Sequence, residues 1–143
     1  MRWLLLDEVE VIRKKILART RSHVPAAEVS CELLFLEMMA QTGALLLGAE
    51  GDYREDLVFA KVEEASFSGD FKPGDPIHIE ATCENLRPEG AWLDARIRAP
   101  QGEIARSRFL LMKVARLGDS GSEPVTFHRE FMSHFKIREK VRE

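Results

Sequence analysis

The sequence has 143 residues, 31% of them charged, and a formal net charge of −3. This length suits one domain with a real hydrophobic core, and the composition is ordinary for a soluble globular protein. This net charge gives no electrostatic case for nucleic-acid binding, which requires a concentrated basic surface, so no nucleic-acid partner is expected.

The two cysteines, Cys31 and Cys83, lack the CxxC spacing of a zinc site, so we expect no metal. They are typical of small buried residues in a reducing compartment. A nucleophilic Cys31 near a helix N-terminus is the alternative. The apolar part of the first eleven residues is too short for a signal peptide, which favours a cytoplasmic protein.

The chain opens with two strand-like stretches, at residues 9–12 and 15–18, which predict a hairpin or one long bent strand. Residues 19–27, with the sequence RTRSHVPAA, predict a polar loop in which Pro25 disfavours regular structure at Val24.

Residues 29–48 are apolar around most of a helical circumference, which predicts one central buried helix of roughly five turns. Ser30 is the expected N-cap and Gly51 the expected end. The stretch carries only two charges, Glu32 and Glu37, but Glu37 and Gln41 interrupt it too much for a membrane span. A carboxylate at position 37 is costly unless it is paired, neutralised or used.

After the helix the pattern changes to the period of β-strands. Strand formers fill residues 57–62 and 67–71, and Pro73-Gly74-Asp75 predicts a turn. Three longer strands joined by turns follow at residues 77–84, 91–98 and 104–114. Strands of this length commonly curl, and the apolar helix is the element they can enclose. The predicted class is α+β, a long antiparallel sheet wrapped around one central helix, which is the hotdog fold.

The C-terminal quarter differs in composition from the rest of the chain. We predict a hotdog domain at residues 1–118 and, at residues 119–143, a linker followed by a C-terminal amphipathic helix. Phe127, Phe131 and Phe135 recur every four residues and form one apolar stripe, for docking on the sheet or on a partner subunit. His128 and His134 are expected to be exposed or interfacial rather than catalytic.

Three stretches resemble the beta-hydroxyacyl-acyl-carrier-protein dehydratase family of fatty acid synthesis. Residues 33–41, LLFLEMMAQ, are similar to its central-helix signature, in which an apolar run leads to an acid and then to Met-Ala-Gln. Residues 67–80 resemble its Phe, Pro-Gly-Asp and strand pattern, and residues 4–9 resemble the start of its first strand. With the strand order, the resemblance covers residues 3–114 and implies a lyase that dehydrates (3R)-hydroxyacyl thioesters to trans-2-enoyl thioesters.

The resemblance also implies a catalytic pair. His23, followed by Val24 and Pro25, precedes Glu37 by the fourteen residues that separate the family's catalytic His and acid. Ala27 replaces a second histidine of the family. Ser30, Cys31 and Glu32 stand where the family has Met-Pro-Gly.

In this scheme His23 takes the Cα proton, and a protonated Glu37, shielded by leucines and methionines, gives a proton to the leaving hydroxyl. The backbone N–H groups of Glu32 and Leu33 would bind the thioester oxygen, although Glu32 adds a negative side chain there. The implied site is shared across a dimer, His23 of one chain facing Glu37 of the other. The residues that would line the acyl tunnel are Leu34, Met38, Gln41, Phe67 and Phe71.

Other interpretations remain open. His23 is alternatively an exposed histidine, and Glu37 a structural acid paired with Arg19 or Arg21. The chain is alternatively an acyl thioesterase, with Glu37 activating water, or an inactive subunit that binds acyl chains or stabilises an assembly. The expected partners are acyl carrier protein or acyl-coenzyme A, met by cations such as Arg96 and Arg98, and another copy in a homodimer or dimer of dimers. No cofactor of the protein's own is expected.

Overall fold

The computed structural model describes residues 5–26, 30–114 and 126–143, in which one sheet wraps around one long helix. The strands are β1 (Glu8–Arg13), β2 (Leu17–His23), β3 (Asp56–Phe67), β4 (Pro76–Arg87), β5 (Gly90–Ala99), β6 (Gly102–Val114) and β7 (Val141–Arg142). The helices are α1 (Cys31–Glu50), α2 (Arg129–His134) and α3 (Ile137–Lys140). The sheet order is β3-β6-β5-β4-β2-β1-β7, and neighbouring strands are antiparallel except β1 and β7, which makes the sheet mixed. The predicted architecture is confirmed.

Strands β1 and β2 form the predicted hairpin, but the polar loop predicted for residues 19–27 is wrong over its first five residues. Arg19 to His23 continue β2 and pair with β4. The strand was hidden because its inward positions are polar. Thr20 and Ser22 are buried, and the Thr20 hydroxyl lies 2.9 Å from the Thr42 hydroxyl on α1. Polar residues therefore alternate here as in a half-buried strand, without an apolar face.

Helix α1 lies in the core, as its apolar sequence predicts. Eleven of its residues are buried, from Leu34 to Ala49. The helix is long and apolar enough to cross a membrane, but these buried side chains identify it as a core helix instead. Ser30 occupies the N-cap position without a side-chain cap bond, and the Gly51 amide bonds back to the Gly48 carbonyl at the C-terminus.

Strands β4, β5 and β6 form the predicted meander, and its inward side chains cover α1. Ile79 and Ile97 are fully buried and face each other across β4 and β5. Gly43 is needed on the facing side of the helix. A Cβ there would lie 2.9 Å from the Phe109 ring, so glycine lets the sheet approach the helix closely.

The C-terminal segment keeps its predicted aromatic stripe but is not one helix. Phe127, Phe131 and Phe135 are buried in the common core. Lys136, with a φ of 51°, is left-handed and separates α2 from α3. His128 caps α2, since its ring nitrogen accepts the Glu130 amide. The start of the predicted linker at residue 119 and the domain boundary at residue 118 lie outside the described residues.

Arg138 ties this segment to the turn after α1, which predicts a pH-dependent contribution to stability. Its guanidinium donates to Asp52 at 2.6 Å and thereby lowers the pKa of Asp52. Because the pKa of Asp52 is lower in the folded state, this ion pair stabilises the protein at pH values above the ordinary Asp pKa of 3.8. The stabilisation is lost as the pH falls from 3.8 through the lower pKa of the folded state. We expect the Tm of Arg138→Gln to lie slightly below wild type at pH 7, with a smaller deficit at pH 3. Lys72→Gln is the charge control, and an equal deficit at both pH values contradicts the linkage.

Candidate active site

Helix α1 has one face that the sheet does not cover. Glu32, Leu33 and Glu37 are exposed on it, while the intervening Leu34 and the following Met38 are buried. The side chain of Leu33 is 61% exposed, and Glu37 lies one turn further along the same face. This uncovered face therefore presents Leu33 and Glu37 to the surroundings of the chain.

Among the described residues, the first backbone amides of α1 beside this face have no hydrogen-bond acceptor. The first intrahelical bond in this turn runs from the Leu34 amide to the Ser30 carbonyl, at 3.2 Å. The amides of Glu32 and Leu33 precede it, so the helix supplies them no acceptor. Their position fits the predicted oxyanion role, and the exposed Glu32 carboxylate stands beside them.

Glu37 is exposed within the single chain, so the expected shielding by leucines and methionines is not provided by its own subunit. Its Oε1 accepts a hydrogen bond from Gln41 Nε2 at 3.4 Å. The alternative pairing with Arg19 or Arg21 is wrong. Arg19 binds Glu80 at 2.7 Å, and Arg21 pairs with Glu8 and Glu10.

His23 ends β2 on the outer face of the sheet. Strand alternation turns Ser22 inward and His23 outward, where its Nδ1 lies 2.9 Å from Asp7 Oδ2. No hydrogen bond or ion pair joins His23 to Glu37 within the parts of the chain that are described. One subunit alone therefore does not assemble the predicted pair, and their meeting across a dimer stays a prediction.

The predicted tunnel residues lie along the first half of α1 and near the end of β3. Leu34 and Met38 are buried, whereas Gln41, Phe67 and Phe71 are half-buried. The Phe71 ring packs edge-on against Phe35, with centroids 5.1 Å apart. This contact joins the segment after β3 to α1, and the tunnel itself stays a prediction.

The sequence reasoning gave no role to Asp7. Its place beside His23 follows from the β1–β2 register, in which Glu8 faces Arg21 after a bulge between Val9 and Val11. The hairpin was predicted, but not the bulge that sets this register. Among the described residues, no group of three or more His, Cys, Asp or Glu side chains could hold a metal ion.

The comparisons with known proteins find dehydratases by sequence and hotdog-fold proteins of more than one kind by structure. No protein-family model matches the chain. The chain is 34% identical over 93 residues to the 3-hydroxyacyl-[acyl-carrier-protein] dehydratase FabZ of Rickettsia rickettsii (strain Sheila Smith), which covers 63% of each protein. In structure it is similar to the dehydratase heterocomplex ApeI:P of Xenorhabdus doucetiae, at 13% identity and a TM-score of 0.64 over 78% of this chain and 83% of that one.

The sequence is similar to that of a dehydratase, and the structure has the hotdog fold.

The hotdog fold extends beyond dehydratases. A hypothetical thioesterase of Streptococcus pneumoniae TIGR4, solved with coenzyme A, matches with a TM-score of 0.62 and 13% identity over 76% of this chain and 85% of that one. At such identity the likeness shows the hotdog fold alone. The chain also spans less than two thirds of the length of the Rickettsia dehydratase.

The chain departs from the pattern of the dehydratase family that it resembles where α1 begins. Ala27 lies outside the described residues. Cys31 is half-buried, and its thiol lies 3.8 Å from the Pro25 carbonyl, which ties the loop after His23 to the helix. Glu32 is exposed, so its side chain points away from the core at the predicted oxyanion position.

Proposed function

We propose that this protein dehydrates (3R)-hydroxyacyl thioesters to trans-2-enoyl thioesters in a pathway like fatty acid biosynthesis. The observation that carries the proposal is the fourteen-residue interval between His23 and Glu37 in a chain 34% identical to a dehydratase. The exposed Glu37 and the donor-bearing start of α1 on one helix face support it.

The reaction needs two proton transfers and one anion site. Neutral His23 removes the Cα proton, and protonated Glu37 gives a proton to the β-hydroxyl, which leaves as water as the carbon–carbon double bond forms. The amides of Glu32 and Leu33 hold the negative charge that develops on the thioester oxygen. Proton exchange between the two side chains and water then restores the starting state. This scheme uses no cofactor of the protein's own.

The proposal includes a homodimer, alone or as a dimer of dimers, because no hydrogen bond or ion pair joins His23 to Glu37 within the described part of one chain. Strand β3 lies at the sheet edge and exposes Phe59 by 41% and Val62 by 37%. An exposed apolar edge strand pairs readily with another strand. Such pairing, together with the exposed Leu33, would bring the uncovered face of α1 towards the partner subunit and shield Glu37.

We propose that the thioester arrives on acyl carrier protein or coenzyme A, in the cytoplasm. A groove of about 380 Å³ on the outer face is lined by the cations Arg19, Arg96 and Arg98, by the acids Glu10 and Glu80, and by His78. Within the described part of the chain, Arg98 makes no ion pair. A guanidinium of this kind suits the phosphate of a phosphopantetheine arm.

A thioesterase is the second candidate, favoured by a specific observation. Glu37 and Gln41 lie together on the exposed helix face without His23, and a carboxylate with an amide can orient an attacking water. An inactive subunit that binds acyl chains is the third candidate, favoured by the acidic Glu32 at the oxyanion position.

One assay separates the three functions. The protein is incubated with a 3-hydroxyacyl and, separately, an enoyl carrier thioester, while enoyl absorbance and free thiol are followed together. Reversible interconversion without thiol release is the result expected of the dehydratase. Release of thiol would assign the thioesterase instead, and no change in either signal would reject both enzymes.

A further inference from the structure

Asp7 and His23 form a side-chain pair on the outer face of the sheet. The Asp7 carboxylate lies 2.9 Å from Nδ1 of His23, and both side chains are about half exposed. The pair borders a groove of about 370 Å³ that is also lined by Arg21, Pro76 and His78.

Backbone hydrogen bonds fix the main chain beside both members of the pair, so the positions from which the two side chains extend are set by the fold. The Asp7 amide donates to the Arg21 carbonyl at 2.8 Å. Immediately after His23, the Val24 amide donates to the Asp75 backbone carbonyl at 2.8 Å, and the Val24 carbonyl accepts from the Gly74 amide at 2.8 Å. These bonds fix the chain on either side of the imidazole.

The neighbouring acids are engaged with other cations. Glu8 pairs with Arg21, and Glu10 lies 3.4 Å from both Arg21 and His78. Asp7 is thus the carboxylate that His23 contacts among the described residues. Because both partners are half exposed, solvent screens the attraction between their charges, and the directional hydrogen bond is the part with a specific consequence.

An ionised carboxylate can only accept a hydrogen bond. Asp7 therefore requires the proton of a neutral His23 on Nδ1, which leaves the Nε2 lone pair free to accept a proton. We propose that Asp7 is a positioning residue that selects this tautomer and ring orientation for the base. The inference rests on the proposed function, in which His23 is that base.

The test reads the tautomer directly. The ¹⁵N shifts and long-range ¹H–¹⁵N couplings of the His23 ring are recorded in wild type, with His23→Ala to assign the signals. We expect Nδ1–H to be the major neutral tautomer in wild type, and Nε2–H in Asp7→Ala. In the same variant we expect kcat to fall about tenfold with KM within about twofold, because the base is misoriented more often. Asp7→Glu should restore part of the Nδ1–H population and part of the kcat.

Glu8→Gln is the matched control, since it removes the same charge one residue away without touching His23. It should leave the tautomer and kcat as in wild type. An Nε2–H ring in wild type, or a tautomer that Asp7→Ala does not change, would overturn the positioning role. Absence of dehydratase activity in wild type would reject the proposed function instead, and the tautomer would still decide whether Asp7 orients the ring.

Discussion

Glu37→Gln and His23→Ala are each expected to lower the kcat of dehydration by about 10²- to 10⁴-fold, the usual contribution of a positioned acid or base. KM should change little, because neither side chain is proposed to bind the acyl chain. Steady-state kinetics on a 3-hydroxyacyl carrier thioester gives both constants. Unchanged kcat in both variants would remove these two residues from the site even if the protein is a dehydratase.

The same two variants test whether the site is shared between subunits. After random subunit exchange, about half of the dimers contain one chain of each variant, and each mixed dimer keeps one intact site. Mixing the two inactive proteins should therefore restore about a quarter of the wild-type activity. Two independent single-chain sites would stay inactive on mixing, which would contradict the shared site.

Phe127→Ala is expected to lower the free energy of unfolding by about 3 kcal/mol, because it opens a cavity where the C-terminal segment meets α1. The Phe127 ring packs against Gly48 and stands edge-on to Tyr53, with centroids 5.0 Å apart. Tyr53 is fixed in turn by a bond to the Leu45 carbonyl at 3.0 Å, and burial raises the pKa of its hydroxyl, which keeps it a donor. Urea unfolding measures the loss.

Gly48→Ala distinguishes close packing from helix propensity. Propensity alone predicts a gain of about 1 kcal/mol inside a helix. An added Cβ would lie 2.4 Å from the Phe127 ring, so we expect a net loss of about 1 kcal/mol instead. Combining it with Phe127→Leu should relieve part of that loss. Gly69→Ala, which meets no atom within 4 Å, is the control, and a stabilised Gly48→Ala would contradict this packing.

The core helix and the strands that surround it were predictable, because both give the sequence a regular hydrophobic period. The apolar circumference of α1 and the alternation through Ile77, Ile79 and Ile97 identify a core helix and the strands around it. The end of β2 was not predictable in this way. Its inward Thr20 is satisfied by Thr42, a residue 22 positions away, and no local pattern contains that contact.

In the candidate site, too, one part was predictable from the sequence and another was not. The resemblance gave His23 and Glu37 from their spacing, but the spacing does not give the direction of either side chain. The turn of His23 onto the outer face follows from the strand that was interpreted as a loop. Its contact with Asp7 follows from a β-bulge in the opposing strand, which shifts the register without a distinctive sequence.

The two edges of the sheet also limit how far the protein can assemble. At one edge, β7 pairs with Ile12 and Arg13, and the bulge bends the remainder of β1, so this side offers little straight backbone to a neighbour. The other edge, β3, is long and open among the described strands. If two copies paired through β3, the open edge of each sheet would be covered by the other in one symmetric contact. Such a contact ends growth at a closed particle, whereas a sheet open on both sides could continue into a fibre.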